Sequence, residues 1–320
     1  MVQEQDPALH RFLSLWPREL EVSSTKTISL GSANAGITVY YLSATGRSEK
    51  DSHCNAGDVP VVVVRKRTLK AKELNLAKVF ARHRLEGRQP LVLPDVYMTW
   101  NDPDGMDLFL EFIPGVGQAP TAPGRMEACA LASAMSEIRA IESVEFKIKE
   151  PRSLLRARTP RSLLRARTQT LDEMACSGFL KTFDLGAVHD LHRSVRSKVQ
   201  RTSSVLSHND VGWSNCSLPG GDGAHARLID FGMLGYNTEG AELHHLLIYC
   251  LKVDALAFFD ELIAACSDKW QVKKDVIRYG CVEYAIHRGL TRVFKLWQGG
   301  KIRHAMRASE PLQKLPRILG

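Results

Sequence analysis

The spacing of apolar positions changes several times along the chain, and each change marks an element. Residues 9 to 20 repeat at helical spacing. Ile28 to Leu42 reads as two strands around the small-residue turn Gly31-Ser32-Ala33-Asn34-Ala35-Gly36. Val59 to Arg67, VPVVVVRKR, has the continuous apolar run of a buried strand and ends in three cations. Leu69 to Arg84 returns to helical spacing through Leu74, Ala77, Val79 and Phe80. Pro90 to Thr99 and Asp107 to Ile113 read as strands joined by the turn NDPDG, and Pro114-Gly115 breaks the second. Arg125 to Ser143 and Phe183 to Gln200 read as helices, with the strand Ser204 to Leu206 after them. Two long helices follow, Ala241 to Cys266 and Val272 to Trp297. The second repeats Tyr279, Val282, Ile286, Leu290, Val293 and Trp297 at steps of three and four, a core stripe. The basic tail from Gln298 is expected to fray.

One stretch obeys neither period. Pro151 to Thr159 reads PRSLLRART, and Pro160 to Thr168 repeats it letter for letter. Nine residues are too few for a solenoid unit, so the segment 151–168 is expected to be a basic, solvated insertion in a tolerant surface loop. Attraction of an anionic partner, or modification at Ser153, Thr159, Ser162 or Thr168, is the alternative use.

Composition narrows the classes. With 320 residues, 44% apolar and 24% charged, the chain is long enough for one or two globular cores. No apolar run has the length of a bilayer span, and the opening MVQEQDPALHRFL lacks the apolar centre of a secretory signal. The seven cysteines, at 54, 129, 176, 216, 250, 266 and 281, include no CxxC pair. An odd set without that spacing suits reduced thiols in the cytoplasm better than a disulfide framework or a zinc site. Almost all of the net charge of +8 sits in residues 147–170, which hold eight basic residues and one acid. The segment has no interleaved aromatics and no nucleic-acid module, so no nucleic-acid partner is expected.

The candidate chemistry lies in residues 206–232, LSHNDVGWSNCSLPGGDGAHARLIDFG. Asn215 to Leu218 reads as a short strand, Pro219 to Gly223 as a turn, and His225 to Ile229 as the returning strand. Asn215 opens the hairpin and Asp230 closes it, so an amide oxygen and a carboxylate meet at its mouth. Those are the ligands of Mg²⁺, a hard ion that completes its shell with water and phosphate. Asp210, on the loop leading in, is placed to orient the proton of an attacking hydroxyl. His208 reads as structural support.

This stretch resembles the catalytic and metal loops of the kinase-like phosphotransferases, most closely the aminoglycoside phosphotransferase and choline kinase family. The family pattern appears as His208-Asn209-Asp210, Asn215 and Leu228-Ile229-Asp230-Phe231, with Asn209 where the family usually has Gly. The resemblance implies an α+β, two-lobed protein-kinase-like fold, with a β-rich N-lobe over 1–113 and a mainly helical C-lobe over 114–320. It implies an ATP- or GTP-dependent phosphotransferase, assisted by Mg²⁺, acting on the hydroxyl of a sugar, amino alcohol or aminoglycoside-like molecule. In its terms Ser32 and Asn34 lie on the loop over the nucleotide phosphates. Arg65 or Lys66 neutralises the phosphate tail and Glu73 pairs with that cation; Lys is usual there, while register favours Arg65. Glu111, Phe112 and Ile113 meet the adenine edge, and Glu242 braces the catalytic loop. His244 and His245 read as packing residues. The other class is a nucleotide-binding pseudokinase or scaffold without turnover.

Overall fold

Asp6 starts the first described element. Its side chain accepts a hydrogen bond from the Leu9 amide at 3.1 Å and Pro7 occupies the first turn, so α1 runs Pro7–Leu13. The structure is a computed structural model that describes residues 6–15, 20–28, 36–44, 62–68, 71–85, 87, 92–102, 105–141, 159–218 and 226–319. The chain divides into two compact units, Met1–Pro114 and Gly115–Gly320.

In the first unit β1 (Leu20–Ile28), β2 (Gly36–Ala44), β3 (Val62–Thr68), β4 (Val96–Asp102) and β5 (Gly105–Glu111) form one antiparallel sheet, in the order β1-β2-β3-β5-β4. The helix α2 (Ala71–Leu85) follows β3 and buries Leu74, Leu76, Ala77 and Phe80. On α1, Ala8, Leu9 and Phe12 join Leu20, Tyr40, Leu42, Val63 and Phe109 in one apolar cluster, with Phe12 stacked on Phe109 at 4.7 Å. The helix expected over 9–20 therefore stops early. Leu20 already belongs to β1, whose run LEVSSTKTI is rich in the β-branched residues that pack well on a pleated surface.

The second unit is mainly helical. Its helices are α3 (Arg125–Ala140), α4 (Pro160–Cys176), α5 (Phe179–Thr182), α6 (Gly186–Val199), α7 (His244–Val253), α8 (Leu256–Trp270), α9 (Lys274–Gln298) and α10 (Ile302–Gln313). Two short antiparallel pairs lie between α6 and α7 in sequence: β6 (Ser204–Ser207) with β9 (Gly235–Thr238), and β7 (Cys216–Ser217) with β8 (Arg227–Leu228). The long helix α9 is the centre, and α6, α7, α8 and α10 pack on it around Ile277, Val282, Ile286, Leu290 and Val293. Gly280 lets it close on the turn before α7: a Cβ there would fall 1.7 Å from the Glu239 carbonyl oxygen.

Three expectations change here. The helix foreseen over 241–266 is two helices, because Asp254 adopts the left-handed conformation at φ 57° and caps α7. The tail does not fray: α10 seats Leu312 over Gly289, and Gln313 Nε2 donates to the Phe183 carbonyl at 2.9 Å. The second copy of the repeat is no solvated loop. It forms the first half of α4 and buries Leu164 and Arg167. Thr159, the last letter of the first copy, caps this helix by accepting from the Ser162 amide, and Pro160 takes the first helical position. The first copy, apart from Thr159, lies outside the described residues.

Candidate functional site

Sequence reasoning places candidate residues in both units. In the first, β3 sends alternate side chains to opposite faces. Arg65 projects toward α1, where it pairs with Asp6 and, at 2.6 Å, with Asp107, and its guanidinium lies 5.8 Å from the Phe109 ring centre. Burial works to lower the Arg65 pKa, but hydrogen bonds to Asp107, Tyr40 and Asp6 outweigh it and hold the group charged. Lys66 projects the other way, toward α2. It is buried, and its Nζ lies 2.5 Å from Glu73 Oε1, while Glu73 Oε2 accepts from Thr68 Oγ1 at 2.8 Å. Glu73 thus pairs with Lys66 and not with Arg65, the residue that register favoured. The reason is that the Asp6 cap and Asp107 give a guanidinium fork two acceptors on the α1 face. Glu111 ends β5 closed against Asp95: its backbone amide donates to the Asp95 carbonyl at 2.9 Å and its carboxylate accepts from the Asp95 amide at 3.0 Å. Phe112 is exposed and Ile113 buried. Ser32 and Asn34 lie outside the described residues.

The second unit brings its candidate residues together tightly. The pairing of β7 with β8 sets Cys216 opposite Leu228, and the Asn215 carbonyl accepts from the Ile229 amide at 2.9 Å. Asn215 therefore stands beside the start of the Asp230 loop. Asp230 adopts the left-handed conformation at φ 61° and opens the turn Phe231–Met233. Asn215 Nδ2 donates to the Asp210 carbonyl at 2.9 Å and to Asp210 Oδ2 at 3.0 Å. With its nitrogen so used, the amide offers Oδ1 to a cation, which is the donor atom Mg²⁺ needs. Among the described residues no cluster of three or more His, Cys, Asp or Glu is arranged to hold a metal. A site of one amide oxygen and one carboxylate fits a hard ion whose remaining ligands are water and phosphate.

The other oxygen of Asp210 is also held. His245 Nε2 lies 2.8 Å from Asp210 Oδ1, and both side chains are part-exposed. This overturns the reading of His245 as a packing residue. Gly212 packs closely against this histidine: a Cβ there would lie 3.3 Å from His245 Cβ. Burial works to raise the Asp210 pKa, but the hydrogen bond and charge of His245, with His208 and His244 farther off, hold the carboxyl below its usual value. His208 and His244 are themselves buried, and burial lowers both.

Behind the loop stands Glu242, fully buried at the turn before α7. Burial pushes its carboxyl up. Arg139 and the nearby His208 backbone amide work against this. Arg139 reaches Glu242 at 2.9 Å and Glu239 at 2.7 Å, with its guanidinium 3.4 Å from the Trp270 ring centre. Sequence reasoning missed Arg139 and His245. Neither carries a local signal, because each meets its carboxylate partners across different elements.

No family model and no curated protein matches the chain. Solved structures do. The apoenzyme of a macrolide 2'-phosphotransferase from Brachybacterium faecium aligns over 95% of this chain and 97% of its own, at 14% identity and a TM-score of 0.63. The GDP complex of an aminoglycoside 2'-phosphotransferase aligns over 97% and 98%, at 12% identity and 0.62. A choline kinase from Cryptosporidium parvum aligns over 94% and 91%, at 15% identity and 0.51. With its antiparallel N-terminal sheet and mainly helical remainder, this chain has the kinase-like fold of the small-molecule phosphotransferases.

Proposed function

We propose that the chain moves the γ-phosphoryl group of ATP or GTP onto a hydroxyl of a small molecule. The observation that carries this reading is the Asp210 carboxylate, held on one oxygen by His245 and on the other by Asn215, in a loop pinned opposite Ile229 and Asp230. A carboxylate so fixed, part-exposed and ionised at neutral pH, is fitted to receive the proton of an alcohol. The acceptor oxygen attacks the γ-phosphorus, the bond to the β-phosphate oxygen breaks, the proton passes to Asp210, and the nucleoside diphosphate leaves. Asn215 and Asp230 are the residues that would hold Mg²⁺, which when bound neutralises phosphate charge. Lys66, fixed by Glu73, is the residue assigned to the phosphate tail, and the backbone from Glu111 to Ile113 to the base. That the structural neighbours include phosphotransferases and a choline kinase, one of them with GDP bound, supports the donor and acceptor classes. A sugar, amino alcohol or aminoglycoside-like molecule is the acceptor class.

A thermal-shift titration with ATP and with GTP, each with and without Mg²⁺, tests the donor, since binding to the native state raises the midpoint by mass action. A Mg²⁺-dependent rise followed by phosphoryl transfer to a hydroxylated metabolite is expected. A rise without transfer to any hydroxyl would make the chain a pseudokinase, and no rise with either nucleotide would remove the kinase reading.

A further inference from the structure

The repeated motif reaches the catalytic loop. Arg167, the eighth letter of the second copy, is buried on α4 and presents its guanidinium to three groups at once. One nitrogen bonds Glu283 of α9, another bonds the Asn237 side-chain oxygen on β9, and the Tyr284 ring centre lies 4.3 Å from the guanidinium carbon. Glu283 is fully buried and also faces His192 of α6 at 3.3 Å. Asn237, its oxygen taken by Arg167 and the Thr238 amide, is left with its nitrogen as donor, and that nitrogen reaches Asn209 Oδ1 at 2.5 Å. Asn209 lies between His208 and Asp210. With its oxygen so engaged, its Nδ2 shares its two hydrogens among the carbonyls of Ser207 at 3.1 Å, Met233 at 3.2 Å and Gly235 at 2.9 Å. Ser207 leads into the Asp210 loop, while Met233 and Gly235 follow Asp230.

Asn209 is thus a clasp between the two loops, and it holds a left-handed backbone at φ 64° that Asn tolerates and Gly prefers. Its amide has to face one way to meet the Asn237 nitrogen with its oxygen and the three carbonyls with its nitrogen, and the order of donors and acceptors running back through Asn237 to Arg167 agrees with that direction.

We propose that Arg167 is a positioning residue for phosphoryl transfer, which through Asn237 fixes the Asn209 clasp and so the spacing of the Asp210 and Asp230 loops. The catalytic consequence rests on the kinase reading above; the brace itself does not. Only the second copy can take this place. The first continues into Pro160 and the repeat, whereas the second continues into Leu171 and Met174, which α4 buries.

The test measures amide hydrogen exchange of the intact protein by mass spectrometry, beside steady-state kinetics. In Arg167→Lys the charge beside Glu283 remains and the fork to Asn237 is lost. Exchange at residues 208–211 and 231–235 is expected to rise at least ~10-fold while the core of α9 stays protected. kcat should fall ~10-fold with the nucleotide KM within ~2-fold. In an Asn209→Gly background, where the clasp is absent and the positive φ is natural, Arg167→Lys should add little to either change. Asn237→Ser, which shortens the relay and leaves the Arg167–Glu283 pair in place, should reproduce both effects if Arg167→Lys does not fold. Unchanged loop exchange in the folded variant, or an equal effect of Arg167→Lys with and without Asn209, would overturn the proposal. Loosened loops in a protein whose wild type transfers no phosphoryl group would uphold the brace and overturn the kinase reading instead.

Discussion

Asp210 meets His245 and Asn215 through different oxygens, so its two partners can be separated by substitution. Asp210→Asn keeps the shape and removes the proton acceptor; kcat should fall at least ~100-fold with nucleotide binding retained, as measured by single-turnover transfer and thermal shift. His245→Ala acts on the pKa. Because His245 helps hold the Asp210 carboxyl below its usual value, its removal lets that pKa rise, and the acid limb of kcat/KM should move to higher pH. The same sign applies to stability. A carboxyl lowered on folding contributes fully above its unfolded pKa and loses that contribution as pH falls through the folded one. An acid limb that stays in place in His245→Ala would deny the histidine this role. In the first unit the neighbouring cations should part company. Lys66→Met should lower kcat/KM for nucleotide at least ~10-fold. Arg65→Met, which leaves Asp107 buried without its main partner, should cost about 3 kcal/mol in urea unfolding with little change in turnover per folded molecule. Asp210, Asn215 and Asp230 can be singled out from the sequence because they lie in one short stretch, the first on the loop that leads into a hairpin and the others at its mouth. His245 and Arg167 cannot, because each meets its partner only after several elements have packed. The one trace of Arg167 is Glu283, a carboxylate at helical spacing from Tyr279 and Ile286 in an apolar stripe, where burial demands a cation.

Helix α9 and the turn before α7 approach at two glycines. A Cβ on Gly240, which holds φ 79°, would fall 2.1 Å from the Ile277 carbonyl oxygen, and one on Gly280 would strike Glu239. This close approach sets the turn that carries Glu242. Gly280→Ala should therefore cost about 2–3 kcal/mol and lower the melting midpoint, with the loss visible by calorimetry. The apolar periods of α2, α3, α6 and α9 are legible in the sequence, because each element writes its own face. The break at Asp254 is less so, because a left-handed Asp carries no Gly or Pro to announce it. The repeat misled for another reason. Basic letters dominate its composition, yet Leu164 and Arg167 lie on one helical face, three residues apart, and it is the face that packs. Deleting one copy leaves a chain in which the survivor still runs into Leu171 and Met174, but follows Glu150 in place of Thr159. Such a variant should fold with the loss of the cap alone, about 1 kcal/mol by urea titration.

For the molecule as a whole, the division into a sheet-bearing first unit and a helical second unit is the part of the fold that the motif resemblance anticipates, because residues 206–232 belong to few architectures. The net charge is a poor guide by comparison. Deleting one copy removes three of the excess positive charges, so elution from a cation exchanger should move to lower salt while the nucleotide-dependent thermal shift is unchanged. The two copies are identical in letters and unequal in inheritance. A change of length in this region spares the brace, since either copy can be lost and the same sequence remains. A change of letter does not, because Arg158 cannot stand in for Arg167 without shifting every residue behind it. Duplication here supplies no spare part: the second copy carries Leu164 and Arg167 into the packed face of α4, and the first ends in the Thr159 cap.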